Sequence, residues 1–357
     1  MTLVSPRSRA DAFCARFGLR IPILLAPMAG ASAPSLSIAV ANAGGMGAAG
    51  ALLMQPAAIA AWAADFRAGS NGAFQLNTWI PDPTPVRDSV HEAEVRAFLG
   101  QFGPDVPETA GDAALVDFAA QCDAMLAARP AVISSIMGLY PPAFVAAMKH
   151  HGIAWFATVT TVAEALEAEA AGADVLVAQG AEAGGHRGAF EAGQAERMAV
   201  GLFALLPTVV DAVKIPVVAT GGIAEARGIA AAFLLGASAV QIGTGLLRTP
   251  EAKIAPAWAD ALGRTRPEDT MITRAFSGRA GRGIANAYVR AAAEGPAPAP
   301  YPVQRGLTAP MRDAASKAGN VDHMQAWAGQ SAALARAEPA GDLLHMIWGG
   351  ASALLGS

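Results

Sequence analysis

The sequence predicts an α/β fold, a (β/α)8 TIM barrel with a second, smaller lobe, and three observations carry that prediction. Short apolar runs alternate eight times with helical patterns. Several runs are apolar on both faces, as strands of a parallel sheet covered by helices are. Glycine turns follow the runs of the seventh and eighth units, where barrels often hold phosphate. An open doubly wound sheet is the alternative. However, Pro27-Met28-Ala29-Gly30 stands where that fold would carry Gly-x-Gly-x-x-Gly.

The predicted strands are Ile23–Ala26, Met46–Ala49, Ala73–Asn77, Ala131–Ile136, Ala154–Val159, Asp174–Ala178, Ile215–Thr220 and Ser238–Ile242. Helical patterns cover Pro34–Ala43, Pro56–Phe66, Gly111–Ala128, Pro141–His151, Val162–Ala171, Glu196–Val213 and Glu225–Leu235. Thr161-Val162-Ala163-Glu164 has the spacing of a capping box, and Gly172 stops that helix. Two stretches fall outside the repeat. Ile80–Ala110 is rich in proline and acid and reads as an insertion after the third strand. About a hundred residues follow the eighth strand, with a flexible-looking Glu294–Pro300. The expected division is a barrel from 1–79 and 111–249, with 80–110 and 250–357 forming a smaller lobe over its mouth.

Composition excludes several classes. A net charge of −4 over 357 residues leaves no basic footprint, so nucleic acid is not an expected partner. Cys14 and Cys122 are too few for a disulfide framework or a cysteine-rich metal site and fit a reducing cytoplasm. Arg7, Arg9, Asp11 and Arg16 lead into no apolar segment of a signal peptide. Residues 21–64 carry no charge, but Pro22, Pro27, Pro34 and Pro56 interrupt them. No run reaches the roughly 18 apolar residues of a membrane span.

Candidate chemistry concentrates in Gln179–Gly188, where Asp174–Ala178 leaves a sheet straight into a loop with four glycines and one imidazole, His186. Glycine lets main-chain N–H groups approach a flat ligand, and histidine exchanges its proton near neutral pH. A solvated turn whose histidine caps a helix is the other reading of such a loop. Val217–Ile223 contains Gly221-Gly222, and Ala239–Gly245 contains Gly243-Thr244-Gly245. Free N–H groups at such turns make an anion site. Pro27-Met28, Asn77, Ser134-Ser135, Thr158 and Gln179 complete a polar rim at the strand ends. Asn77 and Gln179 can each donate and accept, which suits the mixed edge of a flavin ring. Met28 reads equally as core.

Ala26–Gly30, Gln75-Leu76-Asn77, the Gln179–Gly188 loop, Thr220–Ile223, Gln241–Thr244, Arg274–Arg279 with Arg282-Gly283, and Trp327–Gln330 together resemble the FMN-dependent nitronate monooxygenases, formerly called 2-nitropropane dioxygenases. The likeness covers nearly the whole chain. Related FMN-dependent enoyl-acyl-carrier-protein reductases share a version of the Gly-Gly-His loop and supply the rival function. The Gln179 opening, the Gln75–Asn77 strand end and the long tail look more like the monooxygenases. The fourth strand end, Ser134–Gly138, lacks the aromatic-rich form of many members. The resemblance implies noncovalent FMN, with its phosphate on Gly221, Gly222, Gly243 and Thr244. Met28, Asn77, Gln179, Gly184, Gln241 and Ile242 would complete the cofactor site, and His186 would be the catalytic base. The implied partners are a small-molecule nitronate and O2, with a homodimer allowed and no metal.

The chemistry follows from the residues. A nitro group acidifies its α C–H, and a neutral imidazole can take that proton. A preformed nitronate needs no base and carries its own reducing electrons, so no nicotinamide is required. His150-His151 reads as a helix end, and His91 with Glu92 and Glu94 as a solvated loop. Arg279 and Arg282 read either as cofactor contacts or as surface arginines.

Overall fold

A computed structural model of the chain describes residues 5–31, 33–112 and 114–356. Eight parallel strands form its main sheet: β1 (Ile23–Leu25), β2 (Gly47–Gly50), β3 (Phe74–Trp79), β4 (Val132–Ile136), β5 (Ala154–Val159), β6 (Val175–Gln179), β8 (Val217–Thr220) and β9 (Ala239–Ile242). Their order is β1-β9-β8-β6-β5-β4-β3-β2. A parallel bridge between Leu24 and Met46 joins the two ends, with Leu25 N–H donating to Met46 O at 2.9 Å. The fold is the expected TIM barrel, with helices between the strands. A second sheet holds β7 (Gly185–His186), β10 (Thr270–Thr273) and β11 (Gly281–Ile284), antiparallel, with β11 in the middle.

Strand parity explains where the site lies. Alternate residues of a strand face opposite sides. Ile23, Leu25, Ile133, Trp155, Leu176, Val240 and Ile242 pack with the helices. Leu24, Met46, Val132, Phe156, Val175, Val177, Val218 and Ala239 fill the barrel interior. Two residues further along their strands, Val132, Phe156, Val177, Val218 and Ala239 are followed by Ser134, Thr158, Gln179, Thr220 and Gln241. The interior is therefore oily at the strand starts and polar at the strand ends. The helix Pro6–Phe17, not anticipated from the sequence, closes the oily end, with the Phe17 ring edge-on to Phe156 at 5.1 Å. The polar end of the barrel interior stays open to a ligand.

Several local expectations change. The helix expected from Glu196 begins at Leu202, because the Glu182 carboxylate accepts the Leu202 N–H at 2.9 Å and caps it there. The helix expected from Gly111 begins at Phe118, where Asp117 accepts the Ala120 N–H. His91, Glu92 and Glu94 lie on a helix, Ser89–Leu99, rather than in a solvated loop. Asp88 caps it, and Glu92 is buried against the Arg87 guanidinium, Nε to Oε1 2.8 Å. The segment Glu294–Pro300 runs along the surface and is anchored at Ala299, which is buried and donates to Gln304 Oε1.

Val95 and Leu99 of the insertion share one apolar cluster with Phe276, Tyr288, Val289, Val303, Leu307 and Met311 of the tail. The final helix, Ala340–Leu354, leaves this company. Its Leu343, Leu344, Ile347 and Ala351 join the barrel core against the helices Ala226–Leu234 and Pro34–Asn42. It packs between those two barrel helices, apart from the cluster that the rest of the tail shares with the insertion.

Candidate active site

A cavity of about 390 Å3 opens at the polar end of the barrel. That volume falls in the ~300–1,000 Å3 range of small-molecule and cofactor sites. Met28, Asn77, Gln179, Gly184, His186, Gly221, Gly222, Gln241, Gly243 and Thr244 all line it. Ile242 does not. It lies on the opposite face of β9 from Gln241, 1 % exposed in the helix-facing core, because strand parity turns every second side chain away.

The loop after β6 is held from three sides. The Gln179 side chain donates through Nε2 to His186 O at 3.1 Å and accepts the Gly188 N–H at 2.8 Å. One donor and one acceptor of its amide thus hold the loop, and the side chain still lines the cavity. Arg187, 2 % exposed, turns inward and donates to the carbonyls of Gly180 and Gln179. Gly185 and His186 are the edge strand of the second sheet, opposite Arg282 and Gly281. The tail closes the third side. A Cβ on Gly184 would lie 2.5 Å from Gly329 N and 2.7 Å from Ala328 C, so the two backbones touch and only glycine fits. Gly329 N–H donates to Thr244 Oγ1, and Gln330 N–H to Glu182 O.

His186 sits in a largely apolar slot. The rings of Trp79 and Trp327 stand edge-on to the imidazole, with centroids at 4.6 and 4.9 Å. Nε2 lies 2.7 Å from Ser277 Oγ. Burial first, then the positive charges of Arg279, Arg305 and Arg312, pull its pKa down to about 3. The ring is neutral at ordinary pH. Arg279 is neither on the surface nor on the cavity wall: it makes a two-pronged ion pair with Asp82, 2.8 and 2.6 Å. Arg282 donates to Ala181 O and Thr270 Oγ1, which ties the tail to the loop. Arg305 and Arg312, missed in the sequence, are the arginines on the wall. Trp79 could have been found by parity, since it shares a strand face with Gln75 and Asn77. Ser277, Arg305, Arg312, Gln325 and Trp327 come from the tail; Ser277 and Trp327 fall in tail motifs of the resemblance without a role assigned to them, and Arg305, Arg312 and Gln325 carry no local signal.

The residues fit a flavin mononucleotide. Gly221 and Gly222 take φ of +107° and +71°, so the wall there is bare main chain that only glycine supplies. At Gly243 a Cβ would press on Ala26 and the Met28 sulfur. Two such turns side by side suit a phosphate. The Gln241 carbonyl oxygen accepts from Gln75, which leaves its amide N–H for the cavity; Asn77 donates to Ser134 and keeps its oxygen.

A barrel with this loop, these turns and this cavity at its strand ends has the layout of a small-molecule enzyme of the barrel class. The nitronate monooxygenase family model matches residues 12–349. A nitronate monooxygenase of Pseudomonas aeruginosa is 38% identical over 94% of this chain and 98% of its own length. One from Paraburkholderia phytofirmans is 36% identical over 92% of each. Among solved structures, a nitroalkane oxidase from Streptomyces ansochromogenes superposes with a TM-score of 0.86 at 35% identity, over 96% of this chain and 98% of that one. FabK from Thermotoga maritima, at TM-score 0.74 and 24% identity over 96% of each, shares the fold. The chain belongs to the nitronate monooxygenase family, whose members are flavin-dependent. Among the described residues no helix is long and apolar enough to cross a membrane.

Proposed function

We propose that the protein oxidises alkyl nitronates, propionate 3-nitronate among them, with O2 to a carbonyl compound and nitrite, using FMN, with His186 as base for neutral nitroalkanes. The observation that carries this reading is the neutral imidazole on the cavity wall between Trp79 and Trp327. Bound FMN would supply the electron transfer between nitronate and O2. Its phosphate is assigned to Gly221, Gly222, Gly243 and Thr244, and its ring to Met28, Asn77, Gly184 and Gln241.

Ser277 sets the tautomer. Its Oγ lies 3.2 Å from Arg279 O, to which it donates, so Nε2–H of His186 donates to Oγ. The lone pair is then on Nδ1, which has no protein partner among the described residues and takes the α-proton. An imidazolium in this slot is disfavoured by burial and by the arginines. It is tolerated because its proton arrives together with a nitronate anion one bond away, and opposite charges in contact offset the desolvation. The arginines that depress the free base stabilise that anion. The two tryptophans keep water from the new carbanion-like centre. We assign a reducing cytoplasm as the compartment, since Cys14 and Cys122 are both unpaired thiols.

The test is oxygen uptake and nitrite release with a nitronate and no nicotinamide, alongside chromatography of heat-released flavin. FMN alone and nicotinamide-independent uptake are expected. Recovery of FAD, or rapid NADPH-driven turnover of an enoyl thioester with no nitronate oxidation, overturns the reading.

A further inference from the structure

We infer that Gln75 is a positioning residue: it holds the Gln241 side chain with its amide N–H turned into the cavity as a donor to FMN, and so raises the reduction potential of the bound flavin. The inference rests on the cavity holding FMN. Gln75 and Gln241 stand on β3 and β9, which are not neighbours in the sheet, so their side chains meet across the barrel interior. Gln75 precedes the cavity residue Asn77 by two positions on the same strand face. It is in register with Val132, in an otherwise oily layer, and is wholly buried. Its Nε2 donates to Leu25 O and to Gln241 Oε1, both at 3.1 Å. A main-chain carbonyl can only accept, so Leu25 O decides which end of the Gln75 amide is nitrogen. That nitrogen in turn requires the oxygen of Gln241 opposite it. Gln241 Nε2 is left to the cavity that its side chain lines, with no hydrogen-bond partner among the described residues. The Gln241 backbone is held too, because Thr220 Oγ1 donates to its carbonyl at 2.9 Å.

Packing alone does not call for an amide at position 75. Gln75 Oε1 is buried without any hydrogen-bond partner, and an orphaned acceptor costs stability. A methionine or leucine would fill the layer with no such orphan. What the amide adds is direction. An unanchored glutamine presents either end of its amide to a ligand, whereas Gln241 presents N–H alone. Reduction adds electron density to the acceptor atoms of the flavin ring. A donor already fixed on the wall therefore binds reduced FMN more tightly than oxidised FMN, which makes the flavin a better acceptor of electrons from its substrate.

The test measures the midpoint potential of bound FMN by spectroelectrochemistry in the loaded wild type, Gln75→Met, Gln241→Met and the double variant. Gln75→Met should lower the ratio of affinities for reduced over oxidised FMN about tenfold, which is about 30 mV for a two-electron couple. Gln241→Met should lower it at least as far. The double variant should fall no further than Gln241→Met alone, because Gln75 acts through Gln241. An unchanged potential in Gln75→Met, or losses that add in the double variant, would overturn the inference. A second measurement needs no folded variant of Gln75. In NMR of isotope-labelled wild type, the Gln241 side-chain amide should shift on FMN loading, while the Gln75 amide protons exchange slowly with solvent throughout. A Gln241 signal indifferent to FMN, or fast exchange at Gln75, also overturns the inference. A wild type that takes up no FMN overturns the flavin reading, and this inference with it.

Discussion

At the scale of single residues, the catalytic proposal turns on one ring and its surroundings. Replacing His186 with Asn should lower kcat/KM for a neutral nitroalkane by about 10²–10⁴-fold, the range for losing a general base. The preformed nitronate should suffer far less, and oxygen-uptake kinetics with both substrates reads the difference directly. Because the folded-state pKa of His186 is lowered from 6.5 to about 3, the ring also couples stability to pH. Below 6.5 the unfolded chain binds a proton that the folded chain refuses, so stability falls as pH drops from about 6.5 toward 3. Chemical denaturation across that window should show a shallower decline for His186→Asn than for the parent. For the same reason the pH profile of the neutral nitroalkane should lack a His186 acid limb near 6.5. A limb there that vanishes in the Asn variant would contradict the buried, neutral imidazole.

At the scale of elements, the site exists because three segments distant in sequence close on one loop. Gly184 meets Gly329 and Ala328 backbone to backbone. Gly184→Ala therefore forces the loop and the tail apart, and neither contact atom is the end of a flexible side chain. We expect a loss of about 1–3 kcal/mol, the usual cost of overpacking. Weakened flavin retention on gel filtration should accompany it, because Thr244 is tied to the same tail segment. The Asp82–Arg279 pair joins the proline-rich insertion to the stretch that carries Ser277. Asp82→Ala should cost about 2–3 kcal/mol, below the ~3–5 of a fully buried pair, since the Asp82 side chain keeps 24% of its exposure. Hydrogen exchange should locate the loosening in residues 275–284. An even loss of protection across the barrel would point to a global effect instead.

At the scale of the whole molecule, the last helix packs on the barrel. His345 Nε2 bonds Ala43 O at 3.0 Å, and Leu343, Leu344 and Ile347 are all but fully buried. Ending the chain at Pro339 would expose those side chains and the helix faces beneath them. At roughly 1.5–3 kcal/mol for each of three side chains, the loss is about 5–9 kcal/mol. A domain's net stability is only about 5–15 kcal/mol. The truncated chain should be found unfolded or aggregated by circular dichroism and sedimentation. A folded, flavin-loaded truncation would show that the eighth helix is dispensable.

The barrel and its working end are legible in the linear text. Eight apolar runs, and polar residues arriving two positions after apolar ones in five strands, are local patterns that survive in the linear text. Glycines at 221, 222 and 243 could be read as turns for the same reason, since their backbone requirements are properties of the residue. Parity was also present in the text. It separates Gln241 from Ile242 and adds Trp79, although the strand ends alone had suggested otherwise. Which tail residues reach the mouth depends on the packed chain. Ser277, Arg305, Arg312 and Trp327 lie 91 to 141 positions beyond His186, Arg305 and Arg312 on the short helices Val303–Leu307 and Ala309–Ala318 and the other two outside any named strand or helix, so no local period aims them at one mouth. Their placement is set by the sheet that pairs Gly185-His186 with Gly281-Arg282, and by apolar burial shared between the insertion and the tail. Contacts of that range are a property of the packed chain, because only its folding brings the partners into each other's reach.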